Sequence, residues 1–223
     1  LLQAHHVAHV LRLVEGDAVT LFDGRGTIHD AVIAQCARGA VRVRVHASRS
    51  ENRESPLQVT LVQAVSSGER MDYTVQKTVE LGVAAVQPVL SERCVVRLSG
   101  ERAVKRVAHW QAVVAAACEQ CGRNYLPPVY PLLPFAAWLE QTAAEPGLRI
   151  LLAPGGAARL QEIGRPPEKV TLLAGPEGGL TAAEAGDAGR AGFVSLQLGP
   201  RVLRTETAAL AALAAMQTLW GDF

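Results

Sequence analysis

The sequence contains no long hydrophobic run. Its longest unbroken apolar stretch, residues 208–216, is nine residues long, whereas a membrane-spanning helix needs about twenty. No positively charged segment followed by an apolar stretch opens the chain, so nothing indicates export. We therefore predict a cytoplasmic protein that has no membrane partner.

Cysteine is also scarce. Cys36, Cys94, Cys118 and Cys121 are too few for a disulfide framework in a chain of this length. Cys118 and Cys121 form a single C-x-x-C pair, without the second pair or the spaced histidines that a zinc site needs. We interpret both as small packing residues and predict no metal site.

Neither sign of charge dominates the composition. The chain has 22 basic and 21 acidic residues, a net charge of +1. Because proteins that coat DNA are usually far more basic, we expect no DNA partner, but an RNA enzyme with a local basic patch is compatible. Only three of the basic residues are lysine. Arginine suits bidentate contacts to phosphate, although a GC-rich genome would produce the same excess, and both interpretations stay open.

The first part of the chain has the pattern of a small β domain. Short strands are predicted at residues 18–22, 27–35 and 41–45, and short strands at close spacing are typical of a small barrel. The polar stretch 48–56 is the predicted linker. We therefore divide the chain into domains 1–54 and 55–223. Since the sequence has no initiator methionine, we expect that part of the first domain is missing at its N-terminus.

After the linker, short apolar runs alternate with helical patterns. This alternation predicts an α/β fold, a mostly parallel sheet with helices on both faces. Thr181 and Glu184 have the spacing of a capping box at a helix start, and Thr205 is the predicted N-cap of the last helix. That helix is apolar nearly all round, so we expect it to be buried on more than one side, partly by a second copy in a homodimer.

Two loops near the C-terminus are the strongest functional signal. The usual nucleotide motifs, G-x-x-x-x-G-K-[ST] and G-x-G-x-x-G, are absent. Instead, one predicted strand is followed by GPEGG at 175–179 and the next by GPRVLRTETA at 199–208. Ligands of α/β sheets bind beyond the carboxyl ends of the strands, and glycines let the backbone approach a ligand closely. The alternative interpretation is two ordinary tight turns.

These loops also carry a family resemblance. GPEGGLTAAE at 175–184 and LGPRVLRTETAAL at 198–210, together with QKTVELGV at 76–83 and EQCGR at 119–123, resemble the bacterial 16S rRNA uridine-N3 methyltransferases. These are the RsmE-like branch of the SPOUT superfamily. Leu180 replaces a common phenylalanine, and the two cysteines of the C-x-x-C pair stand where alanine and serine are usual.

The resemblance implies a fold and an activity. The fold would be a SPOUT α/β domain with a C-terminal trefoil knot, preceded by a small PUA-like β-barrel that binds RNA. The activity would be transfer of a methyl group from S-adenosyl-L-methionine to N3 of one uridine in 16S rRNA of the small ribosomal subunit. Two subunits would be needed for each RNA site. The alternatives are a non-catalytic RNA-binding or ribosome-assembly factor and a SPOUT methyltransferase acting on tRNA.

Three groups of site residues are predicted. Cofactor-binding residues are Leu152, Ala153, Leu173, Gly175, Pro176, Glu177, Gly178, Gly179, Leu198, Gly199, Arg201, Leu203, Arg204 and Thr207. RNA-binding residues are Arg12, Arg25, Arg42, Arg93, Lys105 and Arg106. The catalytic candidates are Arg123 and Arg204, followed by Arg201, because a fixed arginine would favour the uracil anion.

The alternatives for these residues stay open. Arg123 follows a helix end, where a surface cation is also favourable. Glu177 has a structural role inside the glycine loop as its first interpretation, with contact to the sulfonium as the second. No residue is identified as the general base, and water is a sufficient proton acceptor.

Overall fold

A computed structural model describes residues 13–37, 40–142, 146–164, 166 and 168–223. The chain divides into two compact units. The first comprises the residues up to Arg53 together with Gly122–Leu126, and the second comprises Glu54–Cys121 and Pro127–Phe223. The sequence-based division after residue 54 did not assign the short segment 122–126 to the first unit.

The first unit contains a three-stranded antiparallel sheet. Its strands are β1 (Ala18–Phe22), β2 (Thr27–Ala37) and β3 (Ala40–Ser50), in the order β1-β2-β3. Ile28, Ala31 and Ile33 of β2 supply its buried side chains. The strand β3 is longer than predicted, because its last three residues pair with the first three of β2. The predicted linker therefore begins inside a strand.

The segment 122–126 completes this unit through Asn124. The Asn124 side chain is 1% exposed, and its Nδ2 donates to the backbone oxygen of Glu51 at 2.7 Å and to that of Gly26 at 3.3 Å. Gly26 returns the contact by donating its N–H to Asn124 O at 3.1 Å. Gly26 has a φ of +100°, which favours glycine, and a Cβ there would also meet the Tyr125 hydroxyl.

The second unit contains a six-stranded sheet. Its strands are β4 (Gln58–Ala64), β5 (Ala85–Leu90), β6 (Leu133–Pro134), β7 (Leu148–Leu152), β8 (Lys169–Ala174) and β9 (Val194–Leu196). They pair in the order β6-β5-β4-β8-β7-β9, and every pairing is parallel. The predicted α/β fold with a parallel sheet is confirmed. Because the strands are parallel, the loops that follow β7, β8 and β9 leave from the same edge.

Five helices accompany this sheet in the described part of the chain. They are α1 (Glu69–Glu80), α2 (Gly100–Cys121), α3 (Phe135–Thr142), α4 (Ala182–Arg190) and α5 (Thr205–Trp220). The capping box of Thr181 and Glu184 begins α4, as predicted. None of the described helices is both long and apolar enough to cross a membrane.

The last helix differs from its prediction in two ways. Its N-cap is Arg204, and Thr205 is the first helical residue, because the Thr205 hydroxyl donates to Gly175 O instead of capping the helix. Within one chain, α5 buries only one side, which packs against α1 and β8. The opposite side includes Leu219, which is 50% exposed.

Candidate functional site

Three loops at one edge of the parallel sheet enclose a cleft of about 720 Å³. They follow the adjacent strands β8, β7 and β9. Most of the predicted cofactor residues line this cleft: Leu152, Ala153, Gly175, Pro176, Glu177, Gly178, Gly179, Leu198, Gly199, Arg201, Leu203 and Arg204. Leu173 and Thr207 are not part of the lining, because Leu173 is fully buried in the sheet and Thr207 lies on the exposed side of α5.

The glycine loop, residues 175–180, folds tightly back on itself. Gly179 N–H donates to Pro176 O at 2.8 Å, and Gly179 has a φ of +68°, which favours glycine. A Cβ at Gly175 would lie 3.1 Å from the backbone nitrogen of Leu180. The turn itself therefore favours glycine at 175 and 179, and the same turn brings backbone atoms to the cleft surface.

Glu177 fastens the glycine loop to the segment that precedes α1. Its Oε1 accepts hydrogen bonds from the Ser67 N–H at 2.8 Å, the Ser67 hydroxyl at 2.7 Å and Arg70 at 3.0 Å. Burial alone would raise the pKa of the Glu177 carboxyl, but the hydrogen bonds from Ser67 and Arg70 outweigh it and lower the pKa from 4.5 to about 2. These contacts match the structural interpretation of Glu177.

Arg93 fastens the other end of the glycine loop. Its guanidinium donates to Gly178 O at 3.0 Å and to Leu180 O at 3.5 Å. The neighbouring Glu92 N–H donates to Glu184 of the α4 capping box at 2.8 Å. Arg93 is predicted to bind RNA, and its side chain is exposed. Its position adds a contact with the cleft that sequence reasoning did not identify.

The loop after β7 runs against β9. Ala153 N–H donates to Leu196 O, and Ala158 N–H to Ser195 O, both at 3.1 Å. A Cβ at Gly156 would lie 2.7 Å from the backbone carbon of Leu196, so glycine is needed for this close approach. These bonds hold one wall of the cleft to the end of β9.

The arginine loop, residues 197–204, forms another part of the cleft lining. Arg201 and Arg204 both line the cleft and are exposed. In the described part of the chain, no ion pair joins Arg204 to Glu206, although Glu206 is two residues away and also lines the cleft. Instead, Glu206 Oε2 is buried and has no hydrogen-bond partner among the described residues.

Positive charge exceeds negative charge at the cleft. Its lining includes four arginines and two glutamates: Arg70, Arg93, Arg201, Arg204, Glu177 and Glu206. Arg70 is paired with Glu177, which leaves the other arginines to act on a ligand or on the loop backbone. Such a surface suits a substrate that carries phosphates.

The first catalytic candidate, Arg123, belongs to the first unit. Its side chain is only 7% exposed, which differs from the surface arginine of the alternative interpretation. The lining of the cleft described above comes entirely from the second unit.

The remaining predicted RNA-binding residues occupy different settings. Arg12 lies outside the described residues, while Arg25 and Arg42 are exposed in the first unit. On α2, Lys105 is exposed and pairs with Glu101 at 2.7 Å. Arg106 makes two contacts. Its guanidinium forms an ion pair with Asp72 at 3.4 Å and lies 5.5 Å from the centre of the Trp110 ring.

The cysteine pair is placed at the end of α2. Cys118 is fully buried, and the Cys121 thiol contacts Cys118 O at 3.9 Å. Within the residues that the structure describes, no group of three or more His, Cys, Asp or Glu side chains could hold a metal ion.

Comparison with known proteins identifies the family. Residues 53–217 match the model of the RNA methyltransferase domain, and residues 3–45 match that of the RNA methyltransferase PUA domain. Ribosomal RNA small subunit methyltransferase E of Buchnera aphidicola is 34% identical over 98% of this chain and 88% of its own length. The chain belongs to the ribosomal RNA small subunit methyltransferase E family.

Two solved structures resemble this member of the family closely. One is ribosomal RNA small subunit methyltransferase E from Neisseria gonorrhoeae bound to S-adenosyl methionine, 45% identical with a TM-score of 0.89. The other, from Legionella pneumophila, is in complex with the bound cofactor SAM, 39% identical with a TM-score of 0.94. In each case the similarity covers 99% of this chain and 90% of the other.

Several residues of the family's cleft were missed by sequence reasoning. Ser67 and Arg70 hold Glu177 from more than a hundred residues away. A signal was available in retrospect. The S-S-G sequence at 66–68 follows β4, which lies beside β8 in the sheet and ends at the same edge. Gly156 likewise lies in the loop after a predicted strand.

Proposed function

We propose that this chain transfers a methyl group from S-adenosyl-L-methionine to N3 of one uridine in 16S rRNA of the small ribosomal subunit. The observation that carries the proposal is the cleft at the ends of β7, β8 and β9, with its glycine turn, its excess of arginine and its partnerless Glu206 oxygen. The relatives named for rRNA methylation and the structures with bound cofactor support it.

The residues of the cleft fit this cofactor. A buried carboxylate oxygen without a partner is costly, and S-adenosylmethionine carries two cationic groups, the sulfonium and the amino group, that could satisfy it. The glycine turn presents backbone atoms to the cleft, where a ligand can reach them. When bound, the cofactor supplies a methyl group that is activated by positive charge on sulfur.

The fit has a direct test at Glu206. Glu206→Gln should weaken binding of S-adenosylmethionine about tenfold by calorimetry, because the carboxylate no longer offsets a cation. S-adenosylhomocysteine, which has no charge on sulfur, serves as the comparison ligand. A loss confined to S-adenosylmethionine assigns Glu206 to the sulfonium, and an equal loss for both assigns it to the amino group. Unchanged affinity for both ligands contradicts the assignment.

The protein's part in the chemistry is to favour the uracil anion. Uracil N3 must lose its proton before or while it attacks the methyl carbon, and the negative charge then spreads to O2 and O4. Arg204 lines the cleft and forms no ion pair among the described residues, so its guanidinium is available to those oxygens. With the cofactor bound, water would accept the N3 proton, the methyl group would become bonded to N3, and the electron pair of the broken carbon–sulfur bond would stay on sulfur.

Arg123, the first catalytic candidate from the sequence, is retained on the family resemblance. Its burial gives it the fixed orientation that such a role requires. Arg123→Ala and Arg204→Ala in the same single-turnover assay would rank the two. Substitution of the residue that stabilises the anion should lower the methylation rate far more than it weakens cofactor binding.

The finer features of the fold belong to the same proposal. We propose that the C-terminal part of the second unit forms a trefoil knot and that the first unit is a PUA-like barrel that grips RNA. We also propose a cytoplasmic homodimer with α5 in its interface, because the side of α5 turned away from α1 remains apolar and open. Light scattering at micromolar concentration should give twice the mass of one chain.

The decisive experiment uses the natural substrate. Small subunits from a strain that lacks this activity are incubated with the protein and labelled S-adenosylmethionine, and the modified nucleoside is located by mass spectrometry of the rRNA. One N3-methyluridine in 16S rRNA is the expected product. Methylation of tRNA instead would assign the substrate differently. Cofactor binding without transfer to any RNA would favour a non-catalytic factor.

A further inference from the structure

Gln63 is a polar side chain in the fully buried core of the second unit. It lies near the end of β4 and is 0% exposed. Its amide nitrogen lies within hydrogen-bond distance of three acceptors, namely Ala64 O at 3.0 Å, Thr205 Oγ1 at 3.1 Å and Gly175 O at 3.4 Å. Two of these are carbonyl oxygens, which only accept, so the orientation of the amide is fixed.

Thr205 completes the arrangement. Its hydroxyl accepts from Gln63 and donates to Gly175 O at 2.6 Å. Gly175 O therefore receives both the Thr205 hydroxyl and the Gln63 amide. The three groups come from the end of β4, the first residue of the glycine loop and the first residue of α5, which directly follows the arginine loop.

This arrangement of Gln63 and Thr205 lowers the stability of the fold, which indicates that it serves something other than stability. Gln63 Oε1 is buried and has no hydrogen-bond partner among the described residues, and an unsatisfied buried acceptor destabilises a protein. Moreover, Thr205 gives up the N-cap position, where its hydroxyl would normally stabilise the helix. A leucine at 63 and a capping threonine at 204 would serve stability alone better.

We propose that Gln63 and Thr205 are positioning residues that hold the glycine loop and the arginine loop in register, and thereby set the affinity of the cleft for the methyl donor. The inference rests on the proposed function. Neither residue needs to touch the cofactor. Gln63 is fully buried, and it acts through Gly175 and through Thr205, both of which line the cleft.

Thr205→Val tests the proposal with little change of shape. It removes the hydroxyl, so that Gly175 O keeps only the 3.4 Å contact with Gln63. Affinity for S-adenosylmethionine, measured by calorimetry, should fall about tenfold. Turnover at saturating cofactor should fall by a smaller factor than affinity does, because the neighbouring Arg204 keeps its guanidinium in the cleft. Thr205→Ser, which keeps the hydroxyl, should restore affinity to within about twofold of the wild type.

Thr78→Val is the matched control. Thr78 is also a buried helical threonine, but its hydroxyl donates only to carbonyls of its own helix, Thr74 O and Val75 O. It should lower the melting temperature as much as Thr205→Val does and leave cofactor affinity unchanged. Gln63→Met is the second variant, and its effect on affinity should be less than additive with that of Thr205→Val, since both break the same contact.

The outcomes distinguish failure of the positioning role from failure of the proposed function. Unchanged affinity in Thr205→Val, beside a wild type that binds the cofactor, overturns the positioning role and leaves the proposed function standing. Equal losses of affinity in Thr205→Val and Thr78→Val also overturn it, because the effect would then follow stability. A wild type that binds no S-adenosylmethionine overturns the proposed function and this inference together.

Discussion

The glycine loop and the arginine loop bound the same cleft but are held in different ways. Side chains of Gln63, Ser67, Arg70, Arg93 and Thr205 all bind the glycine loop. By contrast, no hydrogen bond joins the backbone of residues 199–203 to another residue in the described part of the chain. A loop fixed from several elements can present a rigid surface to a small ligand, whereas a loop with few contacts can adjust to a large one. From this comparison we expect the cofactor to bind chiefly at the glycine loop and RNA chiefly at the arginine loop.

The largest expected effect is that of Arg204→Ala. If the arginine loop serves the substrate, loss of this guanidinium should lower the single-turnover methylation rate about 100-fold, the usual cost of removing one such donor. Cofactor affinity should change less than threefold. Quench-flow on purified small subunits and calorimetry give the two numbers. A large loss of cofactor affinity instead would break the distinction between the loops.

Arg93→Ala should affect the glycine loop rather than the arginine loop. Removing its bonds to Gly178 O and Leu180 O releases one end of the glycine loop. We expect cofactor affinity to fall about fivefold to tenfold in the absence of RNA, because charge-assisted hydrogen bonds to the loop are lost. An effect seen only when RNA is present would return Arg93 to its predicted role as a phosphate contact.

Glu177→Gln should give a smaller effect that depends on pH. The carboxyl has a pKa of about 2 in the folded protein against 4.5 ordinarily, so its ionised form stabilises the fold. That contribution is complete above about pH 4.5 and is lost as the pH falls towards 2. The melting temperature of the variant should be a few degrees below that of the wild type at pH 7. The gap should narrow as the pH falls below about 4.5 and close only near pH 2. A gap that stays constant with pH would contradict the assignment.

The smallest effect should come from Val202→Ser in the arginine loop. Val202 is 79% exposed, so its side chain stabilises little in the free protein. Cofactor affinity and melting temperature should both stay within error of the wild type. If RNA affinity falls while cofactor affinity and melting temperature are unchanged, Val202 is a second substrate contact in the arginine loop. A clear loss of cofactor affinity would show that the loop belongs to the cofactor site as much as the glycine loop does.

The features that the sequence predicted correctly are those that depend on local patterns of residues. Short apolar runs between helical patterns gave the parallel sheet, and the spacing of Thr181 and Glu184 gave the start of α4. The strand-end loops followed from the same reasoning, since parallel strands bring their carboxyl ends to one edge. The family resemblance then identified which residues of these loops were expected to bind the cofactor.

The features that sequence missed depend on long-range contacts. Gln63 meets Thr205 across 142 positions, and Ser67 meets Glu177 across 110. Neither pair has a local signature, because a buried glutamine and a loop serine look like ordinary polar residues in one sequence. The N-cap of α5 was misassigned for the same reason, since Thr205 fits a cap locally and is drawn away by Gly175.

The contribution of residues 122–126 to the first unit has a consequence for synthesis of the chain. Asn124 satisfies backbone groups of Gly26 and Glu51, so the first unit lacks part of its interior until that residue has been translated and has left the ribosome. At about 5–20 residues per second, the intervening stretch delays completion by several seconds. During that interval the backbone oxygens of Gly26 and Glu51 lack the partner that Asn124 supplies in the finished chain.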